Sequence, residues 1–370
     1  MARNRVIYQS EALFVSKDAS STGANHHEQL ERVQSANYSF SISRQDINQY
    51  GQLGRIDSLI LEAPTVSFDF SYYLSDGYNE QALGFGESNS FSVGFASGHM
   101  TASSGKNFYI VASEEGKDAI DNTSAASVIG IGNAYLTDYT LDASVGSIPT
   151  VSVTMEAANI NGDVNFSGSS SGYSGISIPA VRQSDGQKLT SNISLPAATT
   201  GVGSVTALRP GDIVIDFGNA SLDDEDGPIV SLAADQNGAH VQSVSLSLAM
   251  SRSPLERLGS RFPFARTVDF PVNATMNVSA IVNEITAANL ADIVDNQNGV
   301  TIQVTFKDTA QTAKSSFKLL NAKLDSESFS SSIGSNKTVD LTFSTQIGGP
   351  GDTTNNILYS GAYAGTAPFA

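Results

Sequence analysis

Gln34-Ser-Ala-Asn-Tyr-Ser-Phe-Ser-Ile-Ser-Arg44, followed by Gly51, has a partner 208 residues further on: Gln242-Ser-Val-Ser-Leu-Ser-Leu-Ala-Met-Ser-Arg252, followed by Gly259. Both runs open on Gln-Ser and close on Ser-Arg, with a glycine seven residues after the arginine. A proline comes next in each, Pro64 and Pro271, one residue out of step. Within each run small polar residues alternate with apolar ones. The apolar positions are Tyr38, Phe40 and Ile42 in the first and Val244, Leu246 and Leu248 in the second. Alternation with a period of two is the signature of a strand with one buried and one wet face.

A second pair of matches supports the first. Asn133-Ala-Tyr-Leu136 precedes Ser144-Val-Gly146 and the alternating Val151, Val153 and Met155. Asn321-Ala-Lys-Leu324 precedes Ser332-Ile-Gly334 and then Val339, Leu341 and Phe343, at an offset of 188. Two matches in the same order, with offsets of 208 and 188, describe one unit written twice, the second copy about twenty residues shorter between them. A unit this long is a whole domain, not a solenoid repeat.

Composition fits that reading. The chain has 370 residues, 40% of them hydrophobic and only 15% charged, enough for two domains with cores of their own. Abundant Ser, Thr, Gly and Asn suit the solvent faces and turns of β structure. The expected fold is mainly β: two duplicated β-sandwich or barrel domains, each with a short flanking helix and extended loops or arms. The expected division is 1–165 for the first domain, a Gly/Ser-rich linker over 166–175 within the run Asn159–Gly175, and 176–370 for the second domain with a C-terminal arm from Gly348.

Strands are expected at Val6–Tyr8 and Ala12–Val15 (an opening hairpin), Thr65–Leu74, Phe91–Phe95, Asn107–Ala112 and Val128–Tyr139. Others are expected on either side of Gly146 and Pro149, and over Asp212–Phe217, Val268–Ile281, Val300–Phe306, Phe317–Leu324 and Val339–Phe343. The segment Asp212–Phe217 is the second copy's candidate for the opening hairpin. Gln45–Ile60 and Ser253–Thr267 read as polar irregular loops. Short helices are expected at Asn79–Leu83 and Thr286–Val294.

The net charge of −17 and pI near 4.5 disfavour binding to phosphate backbones. With no cysteine, neither a disulfide nor a thiolate metal site is possible. No apolar run approaches the roughly 20 residues of a membrane span, and the N-terminus lacks the apolar core of a signal peptide, so a soluble product without that export route is expected.

Catalytic, cofactor and metal sites are all expected to be absent, and the chain is expected not to be an enzyme. Gly168-Ser-Ser-Ser-Gly172 formally satisfies the nucleophile-elbow pattern, but it sits in a low-complexity run without the strand and helix an elbow needs. His26, His27, His99 and His240 show no ligand spacing and read as solvated loop residues. Asp223-Asp-Glu-Asp-Gly227 could bind Ca²⁺, but lacks the spacing of a Ca²⁺ loop and reads as a solvated turn. There is no phosphate-binding glycine motif. Tyr72, Tyr73 and Tyr78 could line a sugar-binding face, although core or interface positions fit them better.

The run from Gln34 to Pro64 resembles the major tail tube proteins of tailed bacteriophages, in a two-domain, internally duplicated variant. Ile131–Pro149 is similar to their penultimate strand pair, and Asn356-Ile-Leu-Tyr-Ser-Gly361 to the end of such chains. The resemblance implies a structural virion protein that stacks as rings into a tail tube, the conduit for genome delivery. Three copies of two domains each would make a pseudo-hexameric ring. It implies assembly in the host bacterial cytoplasm and location in the virion tail. The implied partners are other copies of itself and other tail proteins (tape measure, baseplate, terminator or sheath), with DNA only in transit and no direct membrane binding. A baseplate ring, another tail component or the tube of an injection particle is the nearest alternative. A glycan-binding adhesin built on two sandwiches is a more distant one, against which the absence of tryptophan counts.

Overall fold

The computed structural model describes residues 11–101, 105–114, 116–120, 125–169, 171–182, 185–200, 208–209, 212–217, 240–259, 262–281, 299–331 and 336–363. It is mainly β, with 21 strands and one short α-helix among these residues. The strands of the first half are β1 (Glu11–Ser16), β2 (His27–Gln29), β3 (Val33–Ser41), β4 (Arg44–Ile47), β5 (Asp57–Ile60), β6 (Thr65–Tyr73), β7 (Lys106–Ala112), β8 (Ala125–Ser144), β9 (Thr150–Ala157) and β10 (Asn159–Ser167). A hairpin follows, β11 (Tyr173–Ser177) with β12 (Asn192–Leu195). The second half comprises β13 (Ile213–Asp216), β14 (His240–Ala249), β15 (Arg252–Leu255), β16 (Ala265–Val268), β17 (Val272–Ile281), β18 (Val300–Lys307), β19 (Ala313–Ser330), β20 (Thr338–Ile347) and β21 (Ile357–Gly361). Helix α1 is Tyr78–Leu83.

The two long strands β8 and β19 organise the molecule, because each serves two sheets. The first half of β8 pairs with β7 and β10, and its second half with β9 and β14. The first half of β19 pairs with β18 and β21, and its second half with β20. The second halves contribute to one continuous eight-stranded antiparallel sheet in the order β3-β6-β9-β8-β14-β17-β20-β19. The first halves belong to smaller sheets that cover its apolar side. The strict alternation of β6, β9, β17 and β20 fits this: one side chain in two enters a core that runs through both halves, and the next faces solvent.

The duplication is visible in the registers. Phe68 pairs with Tyr38 and Met155 in the first half; Met276 pairs with Leu246 and Phe343 in the second. A bulge lies between Leu136 and Asp138 of β8 and between Leu324 and Ser326 of β19, at the same relative position. β13 flanks β18 as β1 flanks β7, so the segment at Asp212–Phe217 does occupy the place of the opening strand.

Several expectations are corrected. Gln45–Ile60 and Ser253–Thr267 are not irregular: each is mostly a hairpin, β4–β5 and β15–β16, with Gly51 and Gly259 in the left-handed region between the strands. Phe91–Phe95 is not a strand. Phe91 has φ +50 and only Gly94 makes a bridge, to Leu358. The Gly/Ser/Asn run expected to be a linker folds as β10, a tight turn between Ser169 and Gly172, and the start of β11. The extended C-terminal arm expected from Gly348 is, in its described part, not free of the fold. Ile357–Gly361 is strand β21, with Ile357, Leu358 and Tyr359 buried. The expected elements at Val6–Tyr8 and Thr286–Val294, and the acidic run Asp223–Gly227, lie outside the described residues.

Candidate assembly surface

The junction between the two halves is a strand pairing. β14 lies antiparallel against the second half of β8, with Leu246 opposite Leu141, Ser247 opposite Thr140 and Leu248 opposite Tyr139. On the core side Leu246, Leu248, Leu141 and Tyr139 are at most 1% exposed. The backbone extends the pairing beyond the ladder, with Val145 N–H donating to the Gln242 carbonyl (2.9 Å) and Met250 N–H to the Thr137 carbonyl (2.8 Å).

The arginine that closes the repeated motif locks this junction. Arg252 is buried, and its Nε donates to the Leu136 carbonyl at the bulge of β8 (3.0 Å). Its other nitrogens reach the carbonyls of Arg266 (3.3 Å) and His99, and its guanidinium lies over the Tyr135 ring at 5.1 Å. Burial pushes its pKa down to about 10. That cation remains protonated near neutral pH because three carbonyls and an aromatic face replace its water. Arg266 pairs with Glu156 on β9, a second tie across the junction.

The same positions at the two ends of the eight-stranded sheet have no neighbouring strand among the described residues. Among the described residues β3 pairs with β6 alone, and the second half of β19 with β20 alone. Tyr38 and Phe40 of β3, the counterparts of Leu246 and Leu248, are 41% and 59% exposed. Phe329 of β19, the counterpart of Leu141, is 45% exposed. The expectation that Tyr38, Phe40 and Ile42 face a core is thus corrected: the strand is present, but no described residue buries its apolar face. Covering a large apolar side chain contributes about 1.5–3 kcal/mol, so these two edges present a substantial unused driving force.

The other face of the sheet is polar and continuous across both halves. Along β3, β9, β14 and β17 its outward positions are Ser, Thr or Asn almost throughout, for example Ser39, Ser152, Ser245 and Asn277. Its charged residues are Asp69, Asp138, Asp142, Glu156 and Asp340, with Lys323 the single outward cation among the described positions of these strands. Hairpins β4–β5 and β15–β16 project with fully exposed Tyr50, Leu53 and Leu258 near their tips.

Among the described residues none of the candidate chemical motifs comes together into a site. The turn at 168–172 leads into strand β11, not into a helix. Two histidines correct the expectation of solvated side chains. His27 is buried edge-on against Tyr109 with Nδ1 2.9 Å from the Gly23 carbonyl, and His99 is buried against Phe85. Burial lowers the pKa of both, that of His99 to about 3, helped by the nearby charges of Lys106 and Arg252. Among the described residues no cluster of three or more His, Asp or Glu side chains could hold a metal ion, and no helix is long and apolar enough to cross a membrane.

Sequence reasoning missed a buried polar cluster. Glu80 of α1 is fully buried and accepts bonds from the hydroxyls of Tyr72 (2.8 Å) and Tyr139 (3.3 Å). Burial pushes Glu80 up to about 7, and Glu87 nearby likewise to about 7. The segment after α1 clamps strand β21: Ser88 N–H donates to the Tyr359 carbonyl (3.1 Å) and Phe95 N–H to that of Ile357 (2.7 Å). Only the tertiary fold brings these groups together.

No family model and no curated protein matches this chain. Among solved structures, a chain of the anti-feeding prophage baseplate, determined by cryo-electron microscopy with six-fold symmetry applied, aligns with 12% identity and a TM-score of 0.25. The alignment covers 40% of this chain and 91% of that one. A likeness of this size carries no inference about role.

Proposed function

We propose that this chain is a structural component of a phage-type tail, a ring protein whose stacked copies form a conduit. The observation that carries this reading is the eight-stranded sheet: one hydroxyl-rich, mildly acidic face, one apolar face, and two open edges that still expose apolar side chains. A sheet with open edges is completed by closure, which removes both edges at once. The tail tube resemblance of the Gln34–Pro64 and Ile131–Pro149 runs supports the same reading.

Three copies fit the duplication, giving six related units around the ring. Twenty-four strands at ~4.8 Å spacing and a tilt of roughly 40° close at a backbone diameter of about 48 Å, which admits a nucleic-acid duplex. The polar face would then line the lumen. Its Ser, Thr and Asn side chains offer little grip, and carboxylates such as Asp69, Asp142 and Asp340 repel phosphate, so DNA passes without being held. On this reading the chain is structural and not catalytic.

The test is electron microscopy of the purified protein together with its mass in solution. Hollow particles with three-fold averages and six lobes are expected, stacked into tubes for a tube protein and stopping at one layer for a baseplate ring. Monodisperse single chains at all concentrations would overturn the proposal.

A further inference from the structure

We propose that one copy joins the next by a heterologous strand pairing, β3 of one against the second half of β19 of its neighbour, in the register by which β14 lies on β8. The proposal rests on the ring reading for the statement that copies associate at all. Where and how they do so follows from the internal junction.

The chain contains both halves of the same joint twice, and only one pair is made. β14 has β3 as its counterpart at an offset of 208, and the second half of β8 has that of β19 at 188. The bulges, the pairings to the inner strands and the outward polar positions correspond residue by residue. The joint made within the chain buries its apolar residues, and the two unmade halves expose theirs. A symmetric β3–β3 contact would leave β19 open, whereas β3 on β19 satisfies both edges and can repeat around a ring.

Transferring the register gives specific pairs: Tyr38 opposite Phe329, Ser39 opposite Ser328, Phe40 opposite Glu327 and Ser41 opposite Ser326. The bonds flanking the internal ladder transfer as well. Ile42 N–H would donate to the Asp325 carbonyl, as Met250 N–H does to that of Thr137. Arg44 would reach the Leu324 carbonyl at the bulge, as Arg252 reaches that of Leu136. This gives the recurring Ser-Arg its purpose, because the arginine of each copy of the motif crosses a joint. The two joints differ in chemistry. Tyr139 and the Arg266–Glu156 pair inside the chain have Glu327 and Ser58–Ser344 as counterparts between chains, so the joint between copies is the more polar and the more easily opened.

The absence of cysteine makes the test clean. Ser39→Cys and Ser328→Cys variants of the full chain are mixed, assembled and oxidised. A covalent dimer is expected from the mixture and from neither variant alone. The double variant should give a ladder whose top band counts the copies in the ring. Ser35→Cys with Ser328→Cys, four residues out of register, should not cross-link, because Cα atoms more than about 7 Å apart cannot be bridged. Dimers from Ser39→Cys alone, or equal cross-linking out of register, would overturn the joint in favour of another pairing. Particles seen by microscopy without any cross-link would overturn the joint and leave the ring reading standing. Single chains throughout would overturn both.

Discussion

Asn133 and Asn321 stand at the same point of β8 and β19 and share the left-handed backbone, with φ of 52° and 48°. Each marks the place where its long strand passes from one sheet to another. Asparagine tolerates this conformation better than other side chains with a Cβ. Asn321→Val should therefore destabilise the fold by roughly 1–2 kcal/mol more than Asn321→Gly, by denaturant unfolding. Both variants lose the bond from Nδ2 to Asn355, so that loss cancels in their difference. Equal losses would mean that the kink has no conformational cost.

Phe40 and Leu248 are counterparts with opposite exposure, 59% and 0%. Phe40→Asp should leave the unfolding free energy of the dilute protein within about 0.5 kcal/mol of its starting value, as for other exposed positions, and should abolish assembly. Leu248→Asp should cost more than about 4 kcal/mol, because it buries an unpaired charge at the internal joint. A Phe40→Asp protein that still formed particles would argue against an edge joint.

Glu80 makes stability depend on pH. Its folded pKa, raised to about 7, exceeds the ordinary carboxylate value of 4.5, so between these values the folded state holds a proton that the unfolded state has released. Stability is therefore greatest below that window and falls as pH rises through it, by roughly 1–3 kcal/mol in all. Melting temperature measured from pH 5 to pH 8 should decline, and Glu80→Gln should flatten much of the decline while still accepting a bond from Tyr72. A residual slope is expected from Glu87, which burial raises in the same direction. An unchanged profile in Glu80→Gln would place the titration elsewhere.

Cutting the chain before Gly348 should unfold it, not merely prevent stacking. The cut removes β21, whose Ile357 and Tyr359 are buried in the shared core and bonded to the segment after α1. Large-to-small changes at such sites cost about 3–5 kcal/mol, and losing a whole strand costs more. Circular dichroism of the truncated chain would show lost tertiary signal; a fully folded truncation would restore the expectation of an extended C-terminal arm.

The residues that alternate strictly carried most of the fold. β6, β9, β14, β17 and β20 were legible because each buries one face and wets the other. The hairpins at 44–60 and 252–268 were not, because much of their surface is exposed and no burial pattern marks them. In β3 the alternation was visible but its meaning was hidden. A sequence shows that Tyr38 and Phe40 share a face, not whether the chain itself supplies the cover. Likewise, the burial of His27, His99 and Glu80 comes from elements distant in sequence, and no local pattern encodes it.

Because β14 meets β8 within one polypeptide, that joint forms on folding at an effective concentration independent of how much protein is present. Only the joints between copies remain bimolecular. On the ring reading proposed above, three duplicated chains need two encounters and one closing joint, where six single units would need five encounters and one closing joint. On the same reading the concentration threshold for assembly rests on the more polar joint between copies alone. On that reading the protein stays as separate chains below the threshold and assembles above it, and the duplication lowers the number of encounters a ring requires.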